Sequence, residues 1–281
     1  MNTSEPRSTC PICDSPRLRY WGERDGYAHH KCRSCGHVHT AMEKSSLSSM
    51  DSNDFRERMS SRNAQPDDHD YYRHLCKAEA PGRHTNRTAA AIFKLAGTSS
   101  GKWLDIGCGS GYLVKEAGRL GWNAVGIEPG QWGQIAASEK QIQVVHGFLT
   151  ENTFQEKFQV ISATDVLEHQ PDPYSLLKLI RHHLSPDGKA FISVPYVGCL
   201  QARVFGTRWA MVMPPNHCQL FSRKSISTML RKSGFNLAAT SRLNCADIPI
   251  VERFPLINAL AVRCLDRLGL GDQITVMAIP T

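Results

Sequence analysis

The 281-residue chain has little that would tie it to a membrane or a nucleic acid. No stretch reaches the 18 or more apolar residues of a spanning helix. The longest candidate, Phe254 to Val262, is closed off by Arg253 and Arg263. The first residues are polar and lack the apolar segment of a secretory leader, so a cytoplasmic location is expected. No run of Lys or Arg forms a nucleic-acid stripe. The formal charge of +7 divides into +3 on residues 1–100 and +4 on the rest, and this spread weighs against a nucleic-acid partner. Anionic small substrates remain compatible with that balance. Apolar residues make up 41% of the chain, enough for a sizeable core, and the length suits one α/β domain plus a small module. Ten cysteines without a leader argue for reduced thiols or metal rather than a disulfide framework.

Four of those cysteines have a pattern. Cys10-Pro-Ile-Cys13 and Cys32-Arg-Ser-Cys35-Gly36 are separated by 18 residues, inside the range of a four-cysteine zinc site. Two cysteines three apart grip one metal from a tight knuckle, and two knuckles complete a tetrahedron of thiolates. Tyr20-Trp21 and Tyr27 to Lys31 read as short strands around an Asp25-Gly26 turn. Residues 1–39 are thus expected to form a zinc ribbon, with structural Zn²⁺ on Cys10, Cys13, Cys32 and Cys35. A closed four-thiolate site has no open position for chemistry. His29, His30, His37 and His39 crowd the same region and read as surface residues.

Residues 40–70 are polar, with seven serines between 41 and 62, and read as a linker or flap. Asp67-Asp68-His69-Asp70 reads as a solvated charge run. Ala89, Ile92, Phe93 and Ala96 then fall at helical spacing, with Gly97 to close the helix. Arg83 and Arg87 on this stretch read as surface residues.

The centre of the chain is Leu104-Asp105-Ile106-Gly107-Cys108-Gly109-Ser110-Gly111-Tyr112-Leu113. A buried strand runs into three glycines at alternate positions, and Leu113, Ala117 and Leu120 continue as a helix face. A tight turn needs positive φ, and a ligand against the backbone leaves no room for a Cβ; glycine meets both needs. The helix start behind the turn offers free N–H groups. The spacing is G-x-G-x-G, not the G-x-G-x-x-G of the dinucleotide fingerprint. Glu128 ends a second apolar run, Ala124 to Ile127, where an acid can take both hydroxyls of a ribose.

This combination resembles the class I S-adenosylmethionine (SAM)-dependent methyltransferases, whose first motif reads much like LDIGCGSGYL. The resemblance implies a Rossmann-like, doubly wound seven-stranded α/β sheet over residues 71–281, with SAM at the strand carboxyl ends. It puts cofactor contacts on Asp105, Gly107, Cys108, Gly109 and Gly111, and the ribose on Glu128. Phe148 and Leu149 lie where the family holds adenine; many relatives carry an acid there, so apolar contacts are expected instead.

Further along, Asp165-Val-Leu-Glu168-His169-Gln-Pro-Asp172-Pro173 closely resembles the corresponding string of a subfamily that includes ubiquinone-pathway and natural-product methyltransferases. Asp165 joins the expected cofactor contacts, and Asp172 is expected to cap a helix opening at Pro173. One departure is Gln159, where relatives usually carry Asp. Ser185-Pro-Asp-Gly188 reads as a turn before a strand over Lys189–Pro195. Residues 196–222, rich in aromatics, Met and Pro, read as a lid over an apolar pocket. Ile226, Met229 and Leu230 mark a helix, a second is expected near 255–268, and Asn236–Thr240 and Gln273–Ile279 would be the last strands.

The expected reaction is in-line methyl transfer to an O, N or C nucleophile of a small molecule: a secondary metabolite, a sugar or a quinone-like compound. His217 is the first choice for a general base and His169 the second, because imidazole titrates near neutrality. Two rivals are an RNA methyltransferase that uses the ribbon for recognition, and a non-catalytic SAM- and zinc-binding interaction protein. The scattered charge and the lack of an N-P-P-Y-like motif weigh against the first; the intact motifs weigh against the second. Oligomeric state stays open.

Overall fold

The computed structural model describes residues 8–42, 83–97, 100–243, 264 and 270–281. Most of the expected linker, Tyr71-Tyr72 and nearly all of the helix near 255–268 lie outside them.

The elements follow the polarity pattern. In the amino-terminal module, β1 (Leu18–Arg24) and β2 (Tyr27–Cys32) pair antiparallel around Asp25 and Gly26, both at positive φ, and β3 (Val38–Thr40) joins β2. The helix α1 (Arg83–Ala96) ends at Gly97, with φ +78°. Then strands and helices alternate: β4 (Lys102–Ile106), α2 (Tyr112–Arg119), β5 (Asn123–Glu128), α3 (Gln131–Lys140), β6 (Gln143–His146) and β7 (Phe158–Thr164). Asp172 caps α4 (Pro173–His183), its Oδ1 accepting from Tyr174 N at 3.0 Å. β8 (Leu184–Pro195), α5 (Leu200–Phe205), β9 (Gln219–Leu220), α6 (Arg223–Lys232), β10 (Phe235–Leu243) and β11 (Gln273–Pro280) complete the described chain.

The main sheet has seven strands in the order β10-β11-β8-β7-β4-β5-β6. Strands β6, β5, β4, β7 and β8 run parallel, and β11 enters antiparallel between β8 and β10. This is the doubly wound class I methyltransferase fold. Its order reverses between β4 and β7, which is where such sheets open a crevice at their carboxyl ends. One local expectation is corrected. Ser185–Gly188 lie inside β8, where the β7 register jumps from Phe158↔Leu184 to Val160↔Lys189. The extra residues are absorbed as an irregularity in the strand instead of a turn before it.

The second sheet holds the surprise. Its order is β1-β2-β3-β9, so its fourth strand comes from the 196–222 segment. Cys10, Ile12, Cys32 and Cys35 share one buried apolar cluster with Ile161, Leu177, Phe221, Ile226 and Met229. Tyr174 Oη and Lys232 Nζ both donate to Ile12 O, at 2.6 and 3.1 Å. The amino-terminal module is therefore built into the side of the large domain.

That packing corrects the reading of the histidines. His29, His37 and His39 are buried, not on the surface. β3 is sandwiched between β2 and β9, and its residues are closed off on both sides. In the 196–222 segment, Trp209, Val197, Val212 and Leu220 are buried in a cluster with Val38 of β3.

Candidate functional site

The glycine loop joins β4 to α2. Gly107, Gly109 and Gly111 all have positive φ, at +66°, +48° and +70°. The three glycines serve different purposes. A Cβ on Gly107 would meet Val166 Cγ2 at 2.6 Å, and one on Gly111 would meet Ile142 Cδ1 at 2.3 Å. Those two are small because the protein packs on them. A Cβ on Gly109 would meet nothing within 4 Å. The half-buried Gly109 thus opens onto free space that a side chain would enter, and this is the observation by which the loop fits a cofactor.

Glu128, at the tip of β5, frames that space. Its Oε2 accepts from Gly109 N at 3.1 Å and its Oε1 from Gly130 N at 2.7 Å. The carboxylate thus lies beside the loop, where a ribose diol can be met by two acceptor oxygens. Gly147 N donates to Glu128 O at 3.1 Å, and this fixes the next turn against the same strand end. Phe148 follows it, 44% exposed as a residue, while Leu149 is buried. An open aromatic face here suits a purine.

Asp105 and Cys108 lie underneath. Asp105 Oδ1 accepts from Ser162 Oγ at 2.6 Å, and that hydroxyl accepts from Trp103 Nε1 at 2.8 Å. Burial raises the Asp105 pKa to about 7, the Ser162 bond opposes the rise, and the Glu128 charge adds to it. Asp105 is buried, and its side chain ties β4 to β7. The Cys108 sulfur fills the space that Gly126 leaves: a Cβ there would lie 2.5 Å from it.

At the end of β7, Asp165 is exposed and holds φ +55°, a strained value for a non-glycine residue. Gln273 Nε2 donates to its Oδ1 at 2.6 Å, and Thr88 Oγ1 donates to Gln273 Oε1 at 3.1 Å. Val166 packs on the glycine loop, and the next residues form a 3-10 turn, Leu167–His169. So the cofactor loop and the residues expected to act on the acceptor are neighbours.

The structure brings His169 and His217 together, with ring centroids 4.8 Å apart and edge-to-face. His169 Nδ1 donates to Asn216 O at 2.9 Å, and His217 Nδ1 donates to Met211 O at 2.8 Å. A carbonyl only accepts, so in both neutral rings Nδ1 carries the hydrogen and Nε2 the lone pair. Burial lowers the pKa of His169 to about 3, helped by His217, and that of His217 to about 4. Both rings are neutral at pH 7.

Sequence reasoning left Glu168 without a role. It is fully buried, its carboxylate oxygens have no hydrogen-bond partner, and it gathers with the two imidazoles within 4.8 Å. Burial and the nearby Asp165 push its pKa well up, toward the neutral acid. The only sequence signal was its place in the same string as His169. Glu168 and the histidines form one of two groups among the described residues whose donor atoms lie close enough to share a metal ion.

The other group is Cys10, Cys13, Cys32 and Cys35. Cys10 Sγ lies 3.6 Å from Cys35 Sγ, and Cys13 Sγ 3.6 Å from Cys32 Sγ. A disulfide needs sulfurs about 2.05 Å apart. A tetrahedron with metal–sulfur bonds of about 2.3 Å has edges of about 3.8 Å. The amides of Ser34 and Cys35 point at Cys32 Sγ, at 3.3 and 3.5 Å, as a knuckle that stabilises a thiolate does.

A family model described as a methyltransferase domain matches residues 72–240, more than half of the chain. The chain belongs to that methyltransferase family. It is a SAM-dependent methyltransferase. It is 28% identical over 185 residues to a ubiquinone biosynthesis O-methyltransferase of Actinobacillus pleuropneumoniae serotype 7 (strain AP76), covering 59% of this chain and 77% of the relative. The enzyme of the same description from Histophilus somni (strain 2336) is 34% identical over 109 residues, covering 34% of this chain and 46% of that one. Among solved structures, a complex between the Haloferax volcanii Trm112 methyltransferase activator and a methyltransferase aligns over 70% of this chain and 88% of that one. Its TM-score is 0.52 and its identity 16%, a likeness of fold.

Within this methyltransferase, the match begins beyond the four-cysteine module and ends before β11. No helix among the described residues is long and apolar enough to cross a membrane.

Proposed function

We propose that the chain transfers a methyl group from SAM to a hydroxyl of a small acceptor, with His217 as the general base and His169 beside it. The observation that carries this reading is that Val166, which packs on Gly107 of the glycine loop, leads directly into the turn whose His169 ring meets His217. Gly107, Gly109, Gly111 and Glu128 would hold the amino-acid and ribose parts, and Phe148 and Leu149 the adenine. Bound SAM supplies an electrophilic methyl on a sulfonium that is already a good leaving group. The protein's own contribution is alignment and exclusion of water. The acceptor's proton grows more acidic as its oxygen gains the methyl, so a neutral, weakly basic Nε2 suffices to take it. The names of the O-methyltransferase relatives support oxygen as the nucleophile and a quinone-like compound or other small metabolite as the acceptor.

We also propose that Cys10, Cys13, Cys32 and Cys35 hold a structural Zn²⁺. The sulfur spacing fits the tetrahedron, and four thiolates leave the metal no open position. A second reading, an anionic acceptor such as RNA, draws on one feature. A groove of about 450 Å³ on the ribbon is lined by Arg19, Lys31 and Arg33 with Cys32 and Gly36, and holds no acid.

The test is to incubate the protein with methyl-labelled SAM and cell extract separated into small-molecule and RNA fractions. The account expects protein-dependent label in the small-molecule fraction. Label confined to RNA would favour the second reading, and no transfer from any fraction would leave a binding protein.

A further inference from the structure

The large domain does not hold His217 alone. Its ring is tied within its own loop by Met211 O, and its amide N donates to Met213 O at 2.9 Å. From outside its loop, the His169 ring packs against it, and the amino-terminal module bonds its backbone. Thr40 is buried; its amide N donates to Cys218 O at 3.0 Å and its Oγ1 to His217 O at 3.4 Å. One residue thus holds two successive carbonyls, those of His217 and Cys218. The same hydroxyl lies 3.2 Å from His29 Nδ1 on β2. Cys218 N in turn donates to Glu168 O at 2.9 Å, which ties this stretch to the turn that carries His169.

Thr40 ends a strand only three residues long, too short to persist unsupported. Its support is β2 on one side and β9 on the other, with Val38 opposite Leu220 and His39 opposite Gln219. The strand leaves directly from the second cysteine knuckle. Gly36, at φ +77°, donates to Cys32 O at 2.9 Å, and Cys32 N donates to His37 O at 2.8 Å. Ser222 Oγ, just after β9, donates to Cys35 O. A chain of backbone hydrogen bonds therefore runs from the knuckle through β3 to Cys218, and the Thr40 hydroxyl adds the last link, to His217 O. Beside its packing on the large domain, a ribbon of this size draws order from its metal.

We propose that β3 is a positioning element for the acceptor side of the site, with Thr40 as the positioning residue, so that metal in the cysteine knuckles sets the orientation of the His217 imidazole. The proposal rests on the reading of the four cysteines as a zinc site and of His217 as the base. It assigns the module a role inside the methyl-transfer site itself. The cofactor cradle at Gly109 and Glu128 shares none of these bonds, so SAM affinity belongs to a separate part of the molecule.

The test uses the full chain with ¹⁵N-labelled histidine. The ring-nitrogen signals of His217 are assigned by their loss in His217→Asn. Thr40→Val keeps the shape and the strand backbone but removes the hydroxyl; Thr40→Ser restores it. The expected result is a displaced His217 signal in Thr40→Val, near-native signals in Thr40→Ser, and SAM affinity within about twofold of the parent in both. Chelation of the metal should displace or broaden the same signal. An unchanged His217 signal in Thr40→Val, or in chelated protein that stays folded by circular dichroism, overturns the proposal. If chelation unfolds the whole chain, the Thr40 pair still decides it. The underlying readings fail by other measurements: absence of zinc in the purified protein, or normal methyl transfer by His217→Asn.

Discussion

Gly109 N donates to Glu128 Oε2 at 3.1 Å, so the acid at the tip of β5 is hydrogen-bonded to the open glycine of the loop. Everything proposed for cofactor binding follows from that pair. Glu128→Ala removes both acceptor oxygens from the ribose position. Loss of hydrogen bonds to a charged group costs on the order of 1–3 kcal/mol, roughly 5- to 150-fold in affinity. Calorimetry should show SAM binding weakened within that range. Unchanged affinity would remove Glu128 from the ribose site.

His217→Asn keeps a polar side chain of similar reach but loses the titratable Nε2. The methyl-transfer rate should fall by about 10²–10⁴-fold while SAM affinity holds. The same substitution at His169, whose Nδ1 is bonded to Asn216 O, should cost less. Normal turnover by His217→Asn across pH 6–9 would place the base elsewhere or show that none is needed.

Acid should destabilise the protein in a defined window. His217 titrates near pH 4 in the folded chain and His169 near 3, both below the ordinary histidine value of 6.5. Between those values and 6.5 the unfolded chain binds more protons, so stability rises with pH and is lost as pH falls from about 6.5 toward 4. Asp105 acts oppositely. Its pKa is raised from 3.8 to about 7, so it favours the folded state at low pH and loses that contribution as pH climbs through 7. Denaturant melts at pH 4.5, 5.5 and 6.5 should therefore show a shallower acid loss in His217→Asn and a steeper one in Asp105→Asn. Equal slopes in all three proteins would contradict these burial effects.

Elemental analysis of protein purified without chelator should give one Zn²⁺ per chain, and Cys13→Ser should lose it. The knuckle cysteines share a core with Phe221, Ile226 and Met229, so metal loss should lower the melting temperature of the whole chain in one transition. A separate early transition for the ribbon, with the large domain unaffected, would show the two to be independent.

What the residues announced and what they hid divides along local and long-range lines. The glycine loop, the acid after the second strand, the Asp172 cap and the paired knuckles each depend on residues close in sequence, and each stands where the sequence placed it. The docking of the ribbon depends on Val38 meeting Leu220, and neither residue carries any sign of the other. Without that pairing His29, His37 and His39 look like polar surface residues. With it they are interior, braced by partners such as Gln219 Oε1, 2.7 Å from His37 Nε2. Gln159 shows the same on a smaller scale: it accepts from Lys102 N at 2.7 Å and donates to Ser185 Oγ at 3.2 Å, pinning the starts of β4 and β8. The aromatic residues of 196–222 read as a lid over an apolar pocket; two of them, Trp209 and Phe221, are buried with Val38 and His37 of the amino-terminal module, because hydrophobicity does not name its partner.

Gly109 offers the most direct test of the central claim, that the loop and Glu128 form a SAM site. A Cβ at this position meets no atom within 4 Å, so the main stability cost expected of Gly109→Val is the strain of positive φ, about 1–2 kcal/mol. It would, however, fill the cradle. Titration calorimetry of the parent chain should show one SAM site and no comparable NAD binding, and folded Gly109→Val should bind neither. Undiminished SAM binding by Gly109→Val, or tight NAD binding by the parent, would contradict the account.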